Sequence, residues 1–193
     1  MDTFILASAS KRRIDLLKQI GYVPAQVIPA DIDETPKKNE LARQYCKRIT
    51  LEKAKAISEK FPQNLVLAGD TIVTIGRKIL GKPSSAEEAV RFLKLLSGRR
   101  HQVLTAICLI KGDVINLKLV KTIVKFKCLT EQEIEFHTQS NEWQDKSGGY
   151  MIQGIAASFI IRINGSFSNV IGLPLYETAN LLKKFGINPR KHY

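Results

Sequence analysis

No apolar run in this sequence approaches the roughly 18 residues that a membrane-spanning helix needs, so no helical span is expected. The first residues, Met-Asp-Thr-Phe-Ile-Leu-Ala-Ser, lack a basic lead and carry too short an apolar core for a secretory signal. A cytoplasmic location is the expectation. Cysteine is scarce: Cys46, Cys108 and Cys128 are odd in number and far apart. They exclude a paired disulfide framework and a C-x-x-C metal site, and core thiols in a reducing compartment are expected. Aromatic residues are 7% of the chain. No aromatic-basic ribonucleoprotein motif, zinc signature or recognition-helix pattern is present, so no stable nucleic-acid partner is expected. Internal repeats and low-complexity linkers are missing too. Acids are outnumbered, 18 against 30 bases, for a net charge of +12.

What is present describes an ordinary globular chain. It has 193 residues, 44% hydrophobic and 25% charged, enough for one domain spanning 1–193. The +12 charge favours polyanionic partners, either nucleic acid or phosphate-rich small molecules. Part of it is mere solvation. Val120, Thr122, Val124 and Phe126 alternate with Lys121, Lys125 and Lys127, the pattern of a half-buried strand with a lysine-rich wet face.

The central stretch runs from Asn64 to Ile75. Leu65, Val66, Leu67, Ile72, Val73 and Ile75 show no clean alternation, which marks a strand covered on both faces. Gly69-Asp70-Thr71 interrupts it. A carboxylate inside a buried strand is costly unless a metal, a cation or catalysis explains it. The preceding glycine leaves room for close approach by a ligand or another backbone. Either Asp70 works at the floor of a cleft, or it caps a turn in a chain reversal.

Phe4 to Ala7 reads as a strand, followed by a helix with a stripe of Ile14, Leu17 and Ile20 that ends at Gly21. Ser8 or Ser10 is the expected cap. Arg12 and Arg13 fall in the first turn, against the helix dipole, so they are either surface residues or part of a phosphate site. Asp31-Ile-Asp33-Glu34-Thr-Pro36 is an acidic loop that either caps the next helix or helps hold a divalent cation. Asn39 to Lys60 is one long helix, or two broken near Thr50. Cys46, Ile49, Lys53 and Ile57 share a side of it, so Lys53 either snorkels to water or points inward as a cation.

Gly76 to Pro83 reads as a hairpin and exit loop that holds Lys82 between Gly81 and Pro83. Ser85-Ala-Glu-Glu88 and Thr130-Glu-Gln-Glu133 are capping boxes opening two helices, the first running through Leu96 and the second through about Thr138. His101–Ile110 and Val114–Lys127 form a strand hairpin. Ser147 to Gly154 is a glycine-punctuated loop. Phe159–Ile163 and Ser166–Ile171 are predicted strands around an Asn164-Gly165 turn. Pro174 starts a last helix that ends at Gly186. βα units mixed with hairpins predict an α/β fold on a long mixed sheet.

Several segments, in order and at matching intervals, now resemble a known family. They are Leu6-Ala-Ser8-Ala-Ser10-Lys-Arg12-Arg13, Asp33-Glu34-Thr35, Lys53-Ala-Lys-Ala56 and Leu67-Ala-Gly-Asp70-Thr71. Leu80-Gly-Lys82-Pro83, Leu96-Ser-Gly-Arg99, Asp145-Lys-Ser-Gly148-Gly149-Tyr150, Gln153-Gly154 and Asn169-Val-Ile-Gly172-Leu-Pro174 follow. From Leu6 to about Leu182 the chain is similar to the Maf family of nucleoside triphosphate pyrophosphatases. The resemblance implies an inosine-triphosphatase-like α/β fold, a long mixed sheet flanked by helices, with two lobes and a central cleft. It implies hydrolysis of a nucleoside triphosphate to the monophosphate and pyrophosphate with a divalent metal, Mg²⁺ or Mn²⁺. Ser8, Arg13, Lys53 and Lys82 would hold the triphosphate. Glu34 and Asp70 would face the metal and the attacking water, with Asp70 as general base. Arg12, Thr71 and Gln153 match the branch acting on dTTP and UTP, where they are linked to base selection. A homodimer is implied as well.

Lys11, Met151 and Phe167 stand where the family commonly has proline, glycine and tyrosine. Met151 adds bulk beside Gln153, while no proposed catalytic group is lost. Phosphoanhydride cleavage needs alignment, charge neutralisation and a deprotonated water, which these residue types supply. Competing readings are a basic nucleic-acid-binding protein, a cell-division regulator on the same fold, and an enzyme of methylated GTP.

Overall fold

The computed structural model of the chain describes residues 3–190. Its strands and helices alternate as the hydrophobic pattern demands. β1 (Phe4–Ala7), α1 (Lys11–Gln19), β2 (Gln26–Val27), α2 (Ala42–Ser58) and β3 (Leu65–Ile75) come first. β4 (Lys78–Leu80), α3 (Ala86–Leu96), β5 (Arg100–Lys111) and β6 (Val114–Phe126) follow. Then come α4 (Glu131–Gln139), two 3₁₀ turns at Ser147–Gly149 and Ile155–Phe159, β7 (Ile160–Asn164), α5 (Phe167–Ile171) and α6 (Leu175–Lys184).

The strands build a mixed seven-stranded sheet in the order β2-β1-β3-β5-β6-β7, with β4 paired to β3. β1 runs parallel to both β2 and β3, as crossovers through helices require. β3/β4 is an antiparallel hairpin, and β6/β7 pair antiparallel across a connection that contains α4. Helices flank the sheet, so the expected α/β architecture is what forms. Among the described residues no helix is long and apolar enough to cross a membrane.

Two compact units divide the residues. The first takes the chain through Asp70, Thr105–Val120 and the chain from Gly172 onward; the second takes Thr71–Leu104 and Lys121–Ile171. In the first unit, Ala54 and Ile57 of α2 pack with Ile5, Ala7, Val66, Ala68, Cys108 and Ile110 of the sheet. Burying such aliphatic side chains contributes about 1.5–3 kcal/mol each, and it fixes the face of α2 that carries Lys53. The second unit centres on aromatic rings. Phe126 meets His101 at 4.9 Å, Tyr150 at 5.0 Å and Phe159 at 6.0 Å, all edge-on.

Several local expectations need correction. Ser166–Ile171 is not a strand: α5 occupies it, and β7 pairs with β6 alone among the described strands. Ser166 Oγ accepts from the Asn169 amide, 3.2 Å, and the buried Asn169 side chain donates to Val103 O and Thr122 Oγ1. Those bonds reward a helical turn over a hairpin. Cys128 is exposed, whereas Cys46 and Cys108 are core thiols as expected. In α1 the fully buried pair is Leu16 and Leu17, with Ile14 and Ile20 only half-buried. Neither Ser8 nor Ser10 caps α1 through its side chain: Ser10 is the N-cap residue but makes no such bond. Half of the Ser85 box forms: Ser85 is the N-cap and its Oγ accepts from the Glu88 amide at 3.3 Å, but Glu88 Oε2 accepts from the amide of Ser84 rather than Ser85.

Candidate active site

α2 delivers Lys53 on the same face as Cys46, Ile49 and Ile57, as the spacing predicts. Its ammonium does not snorkel. Nζ lies 2.8 Å from Oδ1 of Asp70 and 2.9 Å from Oε1 of Glu34. The Lys53 and Asp70 side chains are 12% and 11% exposed, while Glu34 is 51% exposed. Asp70 sits in the uninterrupted β3, and no chain reversal occurs there.

Arg13 joins this cluster from α1. Its Nη1 donates to Ser8 Oγ at 2.8 Å and its Nε to Gly172 O at 2.9 Å. Loss of hydration lowers the pKa of Arg13, and the charge of Asp70 is the largest influence opposing that. Gly69 is what admits the guanidinium. A Cβ at position 69 would stand 3.3 Å from Arg13 Nε and 3.4 Å from Ala106 O. Close approach is therefore made by a side chain and a backbone carbonyl of the protein itself. Ser8 serves as an acceptor for Arg13 and for the Ser10 amide. Arg12, in the first turn of α1, is half-buried.

The acidic loop is tied to α2. Tyr45 Oη donates to the backbone carbonyl of Glu34 at 2.9 Å, and Arg48 Nη2 donates to Thr35 O at 3.2 Å. Arg48 also grips Glu40 with two contacts of 2.7 Å, a charge-assisted fork. Burial pushes the Tyr45 hydroxyl up to about 12, with the charges of Asp70 and Glu34 adding to it. Cys46 Sγ donates to the Asp70 carbonyl at 3.5 Å, and its thiol is pushed up to about 12, first by burial and then by Asp70. Asp33 does not cap the next helix, whose N-cap residue is Leu41: its Oδ1 accepts from the Thr35 amide at 2.9 Å, an Asx turn within the loop. Nothing in the sequence pattern marks Tyr45 and Arg48 for this role. The acceptors they reach in the acidic loop are backbone carbonyls, Glu34 O and Thr35 O, which no residue type announces.

Thr71, Lys82 and Gln153 belong to the second unit. Thr71 O accepts from Ser147 Oγ at 2.8 Å, which ties β3 to the glycine-rich loop. Gly148 has φ of +75°, and a Cβ there would come within 2.8 Å of Val73 Cγ2, so only glycine fits the approach. Its amide donates to Gly81 O at 2.9 Å, so the loop also fixes the segment that carries Lys82. Lys82 is exposed, with Asp145 3.9 Å away. It lines a groove of about 640 Å³ with Lys78, Arg91 and Phe92 among its walls. Gln153 is exposed on the same loop, downstream of the buried Tyr150, whose hydroxyl meets His101 Nε2 at 2.8 Å.

Ser8, Arg13, Glu34, Lys53 and Asp70 are thus gathered within the first unit. Lys53 in contact with two carboxylates, with Arg13 feeling the charge of both, suits charge stabilisation of a phosphate-bearing ligand.

The fold that carries them is inosine-triphosphatase-like: it resembles a solved HAM1 protein from Coxiella burnetii, TM-score 0.52, over 95% of this chain and 100% of that one. At 16% identity the likeness concerns fold alone. The chain belongs to the Maf-like protein family, whose model matches residues 3–185. A relative from Cereibacter sphaeroides, named dTTP/UTP pyrophosphatase, is 49% identical over 185 residues and 96% of each chain. One of the same name from Zymomonas mobilis is 51% identical over 185 residues, 95% of this chain and 92% of that one.

Proposed function

We propose that this chain hydrolyses dTTP and UTP to the monophosphate and pyrophosphate. The observation that carries the proposal is Lys53 Nζ in contact with both Asp70 and Glu34, beside Arg13, in a chain about half identical to relatives named dTTP/UTP pyrophosphatase. Ser8, Arg13, Lys53 and Lys82 hold the triphosphate. Arg13 is held rigid by Ser8 and Gly172, so its guanidinium meets phosphate without reorganising.

Asp70 is the general base. Its Oδ1 receives the ammonium of Lys53, which fixes the carboxylate in place. The proton of the attacking water passes to Asp70, and the α-phosphate is the electrophile. Arg12, Thr71 and Gln153 select the base. The tether from Ser147 to the Thr71 carbonyl supports that assignment, since it couples Thr71 to the loop of Gln153. A hydrogen-bonding site of this kind rejects an ill-matched base strongly.

Hard oxygen donors on Glu34 and Asp70, close enough to share one ammonium, fit Mg²⁺ or Mn²⁺. Among the described residues no group of three or more acidic, histidine or cysteine side chains gathers at one point. Further ligands would thus be water and phosphate oxygens. Such a cation would supply charge neutralisation at the triphosphate.

Pyrophosphate release measured across a nucleotide panel with magnesium and with manganese tests the proposal. Release from dTTP and UTP is expected. Faster hydrolysis of methylated GTP overturns the base assignment, and salt-sensitive RNA or DNA binding without turnover overturns the enzymatic reading.

A further inference from the structure

The carboxylates best placed to take a divalent ion already hold a cation of the protein's own. Lys53 Nζ contacts Asp70 Oδ1 at 2.8 Å and Glu34 Oε1 at 2.9 Å. Lysines on apolar helix faces ordinarily carry the ammonium out to water. This one lies between buried Ile49 and Ile57 on α2 and turns its charge onto both acids. Arg13 adds a second positive charge that Asp70 attracts.

The formal charges of Asp70, Glu34, Lys53 and Arg13 sum to zero. A bare divalent cation would leave this partly buried cluster with two excess positive charges and would have to expel the ammonium from both acids. Like charges a few ångströms apart in poor solvation are unfavourable. A triphosphate brings about four negative charges. It can draw off the ammonium, carried on a four-carbon stem with several rotatable bonds, and leave the acids to the metal.

We infer that Lys53 is the resident counter-ion of the Glu34–Asp70 pair in the substrate-free protein, and that a divalent cation enters this pair only together with a triphosphate. The inference rests on the nucleotide reading proposed above and adds to it the order of assembly.

The test is Mn²⁺ binding to the full chain without nucleotide, followed by the spin-resonance signal of free Mn²⁺, for the natural protein and for Lys53→Met. Thermal melting confirms that both are folded. The variant is expected to bind Mn²⁺ about tenfold more tightly; a gain below threefold overturns the inference. A second measurement needs no variant: reductive methylation of the natural protein, read by mass spectrometry at Lys53. Labelling of Lys53 is expected to stay unchanged when Mn²⁺ is added without nucleotide, because the ammonium keeps its place on the two acids until a triphosphate arrives. A rise with Mn²⁺ alone overturns the inference as well. The same preparation is assayed for pyrophosphate release from dTTP and UTP. Release with no effect of Lys53 on Mn²⁺ binding defeats the counter-ion alone, whereas absence of release defeats the proposed function.

Discussion

Tyr45 donates its phenolic hydrogen to the backbone carbonyl of Glu34 across 2.9 Å, so the helix that presents Lys53 also holds the loop that presents Glu34. Lys53 lies two helical turns along from Tyr45, on the same face of α2. Tyr45→Phe keeps the ring and removes this tether. A stability loss of about 0.5–1.5 kcal/mol is expected by chemical denaturation. Steady-state kinetics on dTTP should show KM rising severalfold, more than kcat falls, because Glu34 loses its position rather than its charge.

Asp70→Asn retains an oxygen for the Lys53 ammonium and removes the base. Turnover should fall by about 10²–10⁴, as loss of a general base does, while the melting temperature stays close to that of the natural protein. Near-normal turnover in the folded variant would assign the base elsewhere.

Gly69→Ala tests the close approach of Arg13. The added methyl would press on Nε at 3.3 Å, and Arg13 cannot yield easily because Ser8 and Gly172 hold it. Overpacking of this kind costs about 1–3 kcal/mol. Urea denaturation should show that loss, and KM for nucleotide should rise through displacement of the guanidinium.

His101 makes stability depend on pH. It is buried, and loss of hydration pushes it down to about 4 from the usual 6.5. His137 is also lowered by burial, and both of its ring nitrogens are buried without a hydrogen-bond partner. The unfolded chain takes up protons below about pH 6.5, while native His101 does so only near 4. The stabilising effect is therefore full above pH 6.5 and is lost as pH falls toward 4. The contribution of His101 to the slope is at most about 1.4 kcal/mol per pH unit. His101→Gln should flatten denaturation free energy against pH across that window; an unchanged slope would mean that His101 titrates normally in the fold.

Much of the architecture was legible because it rests on local chemistry. The apolar run around Asp70 and the box from Thr130 to Glu133 each formed where the pattern put them. Lys53 was legible as an anomaly in an apolar stripe, and Gly69 as a gap beside a buried acid. Asn164-Gly165 carries a two-residue turn signal, but the buried Asn169 side chain decides the conformation that follows it. The partners of that side chain, Val103 O and Thr122 Oγ1, lie 66 and 47 residues away. Cys128 misled because composition favours buried thiols but does not say which position faces water.

By itself the order of residues determined the alternation of strands and helices, the capped helix starts and the presence of a costly carboxylate in a covered strand, since each follows from periodicity, capping and burial within a few neighbours. Only the tertiary structure decided that Lys53 meets Asp70 and Glu34, that Arg13 fills the space beside Gly69, and that Tyr45 holds the acidic loop. Those contacts join residues distant in sequence, and they depend on side-chain direction and on backbone acceptors that every residue carries alike.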